Sequence, residues 1–197
     1  MAFLRNLLTV VFLCIVFAPV ASAQGGNIDK ENILYIDLKS GRMAIQMRPD
    51  IAPNHVARVK KLAREGFYDG LLFHRVIEGF MAQTGDPEGT GGGGSKYPDL
   101  KAEFSGEPFV EGTIGAARTQ DPNSANSQFF ICLGEASHLN GTYTAWGKVI
   151  RGMERVHQVK LGDRRRNGLV ENPDKMIKVQ VAADAKDHAV LKEPVSP

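Results

Sequence analysis

The sequence has little of what covalent, redox or metal chemistry needs. Cysteine occurs twice in 197 residues, at Cys14 and Cys132. Cys14 lies in an N-terminal apolar run. Cys132 stands alone in the strand-like stretch "SQFFICL" and reads as a small buried hydrophobe, so no intramolecular disulfide is available once that run is removed. The five histidines (His55, His74, His138, His157 and His188) are scattered, and neither H-E-x-x-H nor C-x-x-C occurs, so no metal is implied. G-x-S-x-G is also absent, and Cys132 has no evident base beside it. Charge of one sign is missing too: the formal net charge is +2 with both signs dispersed, which gives no field for nucleic acid or a membrane surface. The longest basic run, Arg164-Arg165-Arg166, sits in a polar loop and reads as solvated. No internal repeat is present.

One long apolar run does occur. Arg5 is followed by "NLLTVVFLCIVFAPV", then "ASA" and Gln24. A positive start, a short apolar stretch and a small-x-small end make a cleavable secretory signal peptide over 1–23. The run is short for a membrane span and leads into small residues, which weighs against an uncleaved anchor. Cys14 is not at the cleavage point, which weighs against a lipoprotein. The chain is thus expected to be exported, with no stable membrane association after cleavage.

The remaining length fits one domain, over 32–185, with a flexible lead-in at 24–31 and a disordered tail at 186–197. "NILYIDL" and "GRMAIQM" alternate apolar and polar positions and read as two strands joined at Ser40-Gly41. "APNHVARVKKLAREGF" reads as a helix, with Pro53 in its first turn, Gly66 at its end and Val56, Val59, Leu62 and Ala63 as its apolar stripe. Short strands punctuated by glycine follow: "LFHRVI", "FMAQT", "TIGAA", "QFFICL" and "AWGKVI". "GMERVHQVKL" is a second short helix and "MIKVQVAA" a late strand. This pattern predicts a closed or nearly closed β architecture. Gly89, Gly91 and Gly94 match the dinucleotide fingerprint nominally, but no βαβ unit surrounds them, so the run reads as a surface loop and no nucleotide cofactor is implied. Asn140-Gly141-Thr142 is a formal glycosylation sequon, relevant only in a eukaryotic secretory pathway.

The stretch "FHRVIEGFMAQ" holds the main chemical signal. It sets Arg75, an always-charged group, among Phe73, Val76, Ile77, Phe80 and Met81. An edge-strand arginine with its head in water is the bland reading. Gln83, close enough in a hairpin to hold a guanidinium, and a second patch, "NSQFFI", with Gln128 beside two phenylalanines, weigh against it.

"FHRVIEGFMAQTGDPEGTGGGG", "GTIGAARTQDPNSANSQFFICLG" and "HLNGTYTAWGKVIRGM" together resemble the cyclophilin family of peptidyl-prolyl isomerases, from about Ile33 to Ala182, with the brief loops of its bacterial branch. The resemblance implies a mainly β fold: a closed eight-stranded antiparallel barrel capped by two helices, needing no cofactor. It places Arg75 on the catalytic arginine and Gln83 on the glutamine that supports it. Phe80, Met81, Phe130 and Leu139 fall on the apolar pocket for a proline ring, Gln128 on a substrate-contacting glutamine and Ala117 in the groove. Arg118 stands where many relatives have asparagine, at a point where the family uses the backbone. His138 and Tyr143 depart from the family's usual rim residues, which implies weak cyclosporin binding and altered preference beside the proline. The implied function is isomerisation of X-Pro bonds in proline-containing chains, assisting the folding of exported proteins, by a monomer in the periplasm. A eukaryotic secretory compartment is the alternative location. A barrel that captures proline-containing segments without turnover is the alternative function.

Overall fold

Strand periodicity decides where the core and the site lie. A computed structural model describes residues 29–192; the expected signal peptide, most of the lead-in and the last five residues lie outside them. The strands are β1 (Ile33–Leu38), β2 (Gly41–Met47), β3 (Arg75–Ile77), β4 (Met81–Thr84), β5 (Thr113–Ala116), β6 (Phe129–Cys132), β7 (Ala145–Arg151) and β8 (Lys178–Val181). The helices are α1 (Pro53–Arg64) and α2 (Met153–Val156). Successive side chains of a strand point to opposite faces. In β6, Phe129 and Ile131 enter the main core, while Phe130 and Cys132 join a second cluster with Met81, Phe109, Leu139 and Ala145. The same alternation sends Val76 and Ala82 inward and leaves Arg75, Met81 and Gln83 on the other side. The inner face is tied together by edge-on aromatic contacts: Tyr68 to Phe129 at 5.7 Å and Phe129 to Trp146 at 5.4 Å between ring centres.

The eight strands form one antiparallel sheet in the order β3-β4-β6-β5-β7-β2-β1-β8. The two end strands, β3 and β8, do not pair with each other. The segment 168–177 fills the gap instead, with Val170 N–H donating to His74 O at 3.1 Å, Met176 N–H to Leu71 O at 2.9 Å and Ile177 N–H to Asp37 O at 2.7 Å. The expected closed barrel is therefore a curled sheet whose seam is bridged by irregular backbone. This also explains why "LFHRVI" yields only three strand residues: its first half bonds to that segment and not to a regular ladder. Among the described residues no helix is long and apolar enough to cross a membrane.

Short turns occur at both ends of the described residues. Asp29, at the end of the expected flexible lead-in, caps a 3₁₀ turn over Lys30–Asn32, and Glu31 pairs with Arg64 at 2.9 Å. The expected disordered tail is packed as far as Lys192. Ala189–Lys192 form a 3₁₀ turn, Val190 is buried with Ile33, Tyr35 and Ala44, and the Tyr35 hydroxyl lies 3.1 Å from His188 Nδ1. The physical reason is that β1 buries both its faces, so its outer apolar residues need a cover that the sheet does not supply.

α1 buries its expected stripe, with His55 added. Its N-cap, Ala52, has no side-chain acceptor. Glu103, in the long loop before β5, takes that place: it accepts the N–H groups of Asn54 and His55, each at 3.0 Å, and lies 2.6 Å from His55 Nδ1. Burial pulls the His55 imidazole below its ordinary value of 6.5, against the opposing pull of Glu103. Its Nε2 is buried without a partner, so a proton added there meets no acceptor. The unfolded chain therefore binds this proton first as pH falls, and the contribution of neutral His55 is lost below about 6.5. Stability to urea is expected to decline as pH falls below about 6.5, and His55→Asn should flatten that decline. An unchanged slope in the variant would remove His55 from the account.

Candidate active site

Arg75 on β3 and Gln83 on β4 are direct cross-strand partners. Both side chains lie on the face away from the main core, because they share the pleat parity of Met81. Gln83 Oε1 accepts from Arg75 Nη1 at 3.1 Å, as the hairpin reading expected. Met81 Sδ lies 3.5 Å from the same nitrogen. Two further bonds come from a residue that the sequence reading passed over. Asn167 accepts from Arg75 Nε through its backbone oxygen and from Nη2 through its side-chain oxygen, both at 3.0 Å. It can do both because it holds a left-handed conformation, with φ of 54°. Asn-Gly after a polar run is a turn signal that pointed to that backbone, but nothing in the sequence placed it against Arg75.

Each acceptor of Arg75 is neutral. Burial draws its guanidinium somewhat below the ordinary arginine value, and it stays protonated at any physiological pH. Its charge is therefore oriented without being quenched by a carboxylate.

The amide of Gln83 is itself fixed. Its Nε2 donates to Gln128 Oε1 at 2.9 Å, and Gln128 Nε2 donates to the carbonyls of Gly91 at 3.0 Å and Gly93 at 2.8 Å. Carbonyls only accept and a guanidinium only donates, so the two ends force one orientation on both glutamines. The glycine-rich loop is thus the far anchor of Arg75. It is shaped by Asp86, a buried carboxylate that accepts the N–H groups of Glu88 at 2.8 Å, Thr90 at 2.9 Å and Gly91. Burial alone would raise Asp86, but these backbone bonds outweigh it and hold the carboxyl below its ordinary value. A Cβ on Gly93 would come within 2.1 Å of Asp86 Oδ1, so the loop needs glycine there. His74, packed beside this loop, is buried, and burial lowers its basicity.

Nine of the eleven expected site residues line one cavity of about 110 Å³: Arg75, Phe80, Met81, Gln83, Ala117, Arg118, Phe130, Leu139 and Tyr143. At about 30 Å³ per water, that holds a few waters or one small ring. Phe130 is its floor, stacked on Phe109 at 5.9 Å and met edge-on by Tyr143 at 5.9 Å. Phe130 also presses on β5, since a Cβ on Gly115 would lie 2.2 Å from its ring. Phe109 and Gly115 are supporting residues with no local signature, because their role is a contact across strands. Gln128 lines a second, polar groove of about 500 Å³ that shares Gln83, Ala117 and Arg118 with the first. His138 lines neither; it packs against Phe80 at 5.3 Å on an adjoining 3₁₀ turn. Cys132, fully buried with its thiol pushed up to about 12, takes no chemical part. Among the described residues no group of three or more histidines, cysteines and carboxylates is placed to hold a metal ion.

A guanidinium fixed by neutral acceptors thus shares one small cavity with Phe80, Met81, Phe130 and Leu139. The family described as cyclophilin type peptidyl-prolyl cis-trans isomerase/CLD matches residues 33–181, and the chain belongs to it. A probable peptidyl-prolyl cis-trans isomerase of Brucella suis is 50% identical over 198 residues, covering 94% of this chain and all of the relative. Peptidyl-prolyl cis-trans isomerase B of Bacillus subtilis is 42% identical over 140 residues, covering 70% of this chain and 96% of the relative. Among solved structures, the cyclophilin AquaCyp293 of Hirschia baltica aligns with a TM-score of 0.71 at 28% identity, covering 80% of this chain and 76% of that one. A Cryptosporidium parvum cyclophilin, crystallised in the presence of the dipeptide Ala-Pro, aligns with a TM-score of 0.69 at 25% identity, covering 76% and 98%.

Asn167→Gly keeps the left-handed backbone and removes one bond to the guanidinium. It is expected to lower kcat on an X-Pro peptide about tenfold with KM little changed, the size of one charge-assisted hydrogen bond. Unaltered kcat would show that Gln83 positions Arg75 unaided.

Proposed function

We propose that the chain accelerates cis–trans rotation about X-Pro bonds in newly exported polypeptides, with Arg75 as the catalytic residue and the cavity over Phe130 as the proline-ring site. The observation that carries this reading is a guanidinium fixed by neutral acceptors in the wall of a ring-sized cavity that Phe80, Met81, Phe130 and Leu139 also line.

Rotation about a peptide bond meets a barrier of roughly 18–20 kcal/mol, because resonance gives the C–N bond double-bond character. No bond is broken, so neither a nucleophile nor a proton carrier is required. What is required is tighter binding of the twisted amide than of either planar form. In the twisted state the proline nitrogen becomes pyramidal and regains a lone pair. An N–H of Arg75 aimed at that nitrogen is well bonded only there. Such a bond contributes about 1.5–3 kcal/mol, while a ~10⁵-fold acceleration needs about 7 kcal/mol. The remainder falls to the ring pocket of Phe80, Met81, Phe130 and Leu139, which holds the pyrrolidine while the preceding carbonyl swings, and to loss of water from the amide. The N–H of Ala117 is engaged by Gln128 O at 3.0 Å. The next N–H, that of Arg118, meets no acceptor among the described residues and is the group available to the swinging carbonyl.

The substrate class is unfolded chain bearing accessible prolines, in keeping with the Ala-Pro used with the Cryptosporidium relative. Cyclosporin is expected to bind weakly, since His138 stands outside the ring cavity. The N-terminal apolar run supports a periplasmic location. N-terminal sequencing of protein from a periplasmic fraction should read from Gln24; a retained Met1 would refute export by cleavage.

Arg75→Ala should lower kcat/KM by about 100-fold with the fold intact by circular dichroism. Arg75→Lys should be nearly as poor, because an ammonium cannot engage Gln83 and Asn167 together. Near-normal exchange in an X-Pro peptide, measured by NMR, would remove the arginine from the mechanism and favour a binding module.

A further inference from the structure

Arg118 is a second cation at this site, and among the described residues no carboxylate pairs with it. Its Nη1 donates to the carbonyls of Thr119 at 2.8 Å and Gln120 at 3.3 Å, and its Nη2 to that of Thr142 at 2.8 Å. Its Cζ lies 4.2 Å from the centre of the Tyr143 ring. Carbonyls and a ring face orient the charge but do not cancel it. Arg42, Arg48 and Arg64, by contrast, each sit on a carboxylate at 2.6–2.9 Å. Arg118 belongs to both cavities, so it stands between the place of the proline ring and the place of the residues beside it. No acidic residue lines the ring cavity. One, Asp99, lines the polar groove, and its Oδ1 is engaged by Asn126 Nδ2 at 2.8 Å.

We propose that the Arg118 side chain selects X-Pro segments carrying an aspartate or glutamate within two residues of the proline. This rests on the isomerase reading. A partly shielded cation already held in place gains most from a mobile anion that docks beside it, and like-charged flanks are repelled. Arg75 carries charge in every variant used below, so a change in selectivity isolates Arg118.

The test is NMR exchange in matched X-Pro peptides with Glu or Gln at each position from two before to two after the proline. The wild-type chain is expected to show a Glu:Gln ratio of kcat/KM of about 5–10 at one position or more, shrinking at ~0.5 M salt. Arg118→Gln should bring the ratio close to one, and Arg118→Lys should keep most of it. The ratio is the readout, because either change can shift the absolute rate by disturbing Tyr143 and the loop. A flat ratio in the wild type with normal turnover, or a ratio unchanged in Arg118→Gln, overturns the proposal and leaves the isomerase reading standing. Absence of turnover on every peptide overturns both.

Discussion

The site depends on a guanidinium held by groups that take its hydrogen bonds but not its charge. A carboxylate in the place of Gln83 would grip Arg75 harder, since charge-assisted bonds are the stronger kind. It would also settle the charge before any substrate arrived. Amide and backbone oxygens have enough dipole to fix the plane of the guanidinium while leaving its field directed into the cavity. The cost is that a neutral amide has two ends, and only one is of use. The two-glutamine relay from the carbonyls of Gly91 and Gly93 removes that ambiguity.

This requirement accounts for much of the surrounding structure. The relay needs the β3–β4 hairpin and the glycine loop that follows it to meet a residue 45 positions from Gln83, just before β6. The strand order β3-β4-β6-β5 puts the hairpin and β6 side by side, with Gln83 opposite Phe130 in register. The loop is shaped by a buried Asp86 whose charge is spread over backbone N–H groups. One face of the same strands carries Phe129, Ile131 and Ala82 into the core. The chemistry is thus mounted on the back of the best-packed part of the molecule, and rigidity at the site follows from rigidity of the core.

Sequence reading went furthest where one signal is local. The hairpin of Arg75 and Gln83, the helix from Pro53 and the strand character of β1, β2 and β6 are properties of a few neighbouring residues, and all appear as expected. What escaped it is set by contacts far apart in the chain. Asn167 lies 92 residues from Arg75. "RRRNGL" read as a polar loop, and it is one; the turn holds the arginine only because the seam of the sheet passes there. The packing of residues 189–192 is hidden in the sequence for a related reason. A short segment with one buried valine has no periodicity to detect, and its order comes from the uncovered face of β1. Glu103 capping α1 and Phe109 under Phe130 are likewise invisible until the long loop is placed. Strand ends were overestimated where bulges and the irregular seam replace a ladder, a tertiary effect that alternation cannot anticipate.

The absences that open the sequence take on meaning here. An enzyme that breaks bonds must store or move protons, and so needs groups that titrate near neutrality. Rotation about an amide moves none, and the site residues that carry charge are both arginines, which never change state. His74, the histidine nearest the centre in sequence, is buried and made less basic, consistent with a packing role. Electrostatic work at this site is done by permanent charge, fixed in direction by neutral dipoles. The same property that frees Arg75 to meet a nitrogen lone pair leaves Arg118 free to meet an anion. Catalysis and selectivity then become two uses of one arrangement: cations held by neutral acceptors around a cavity that no carboxylate lines.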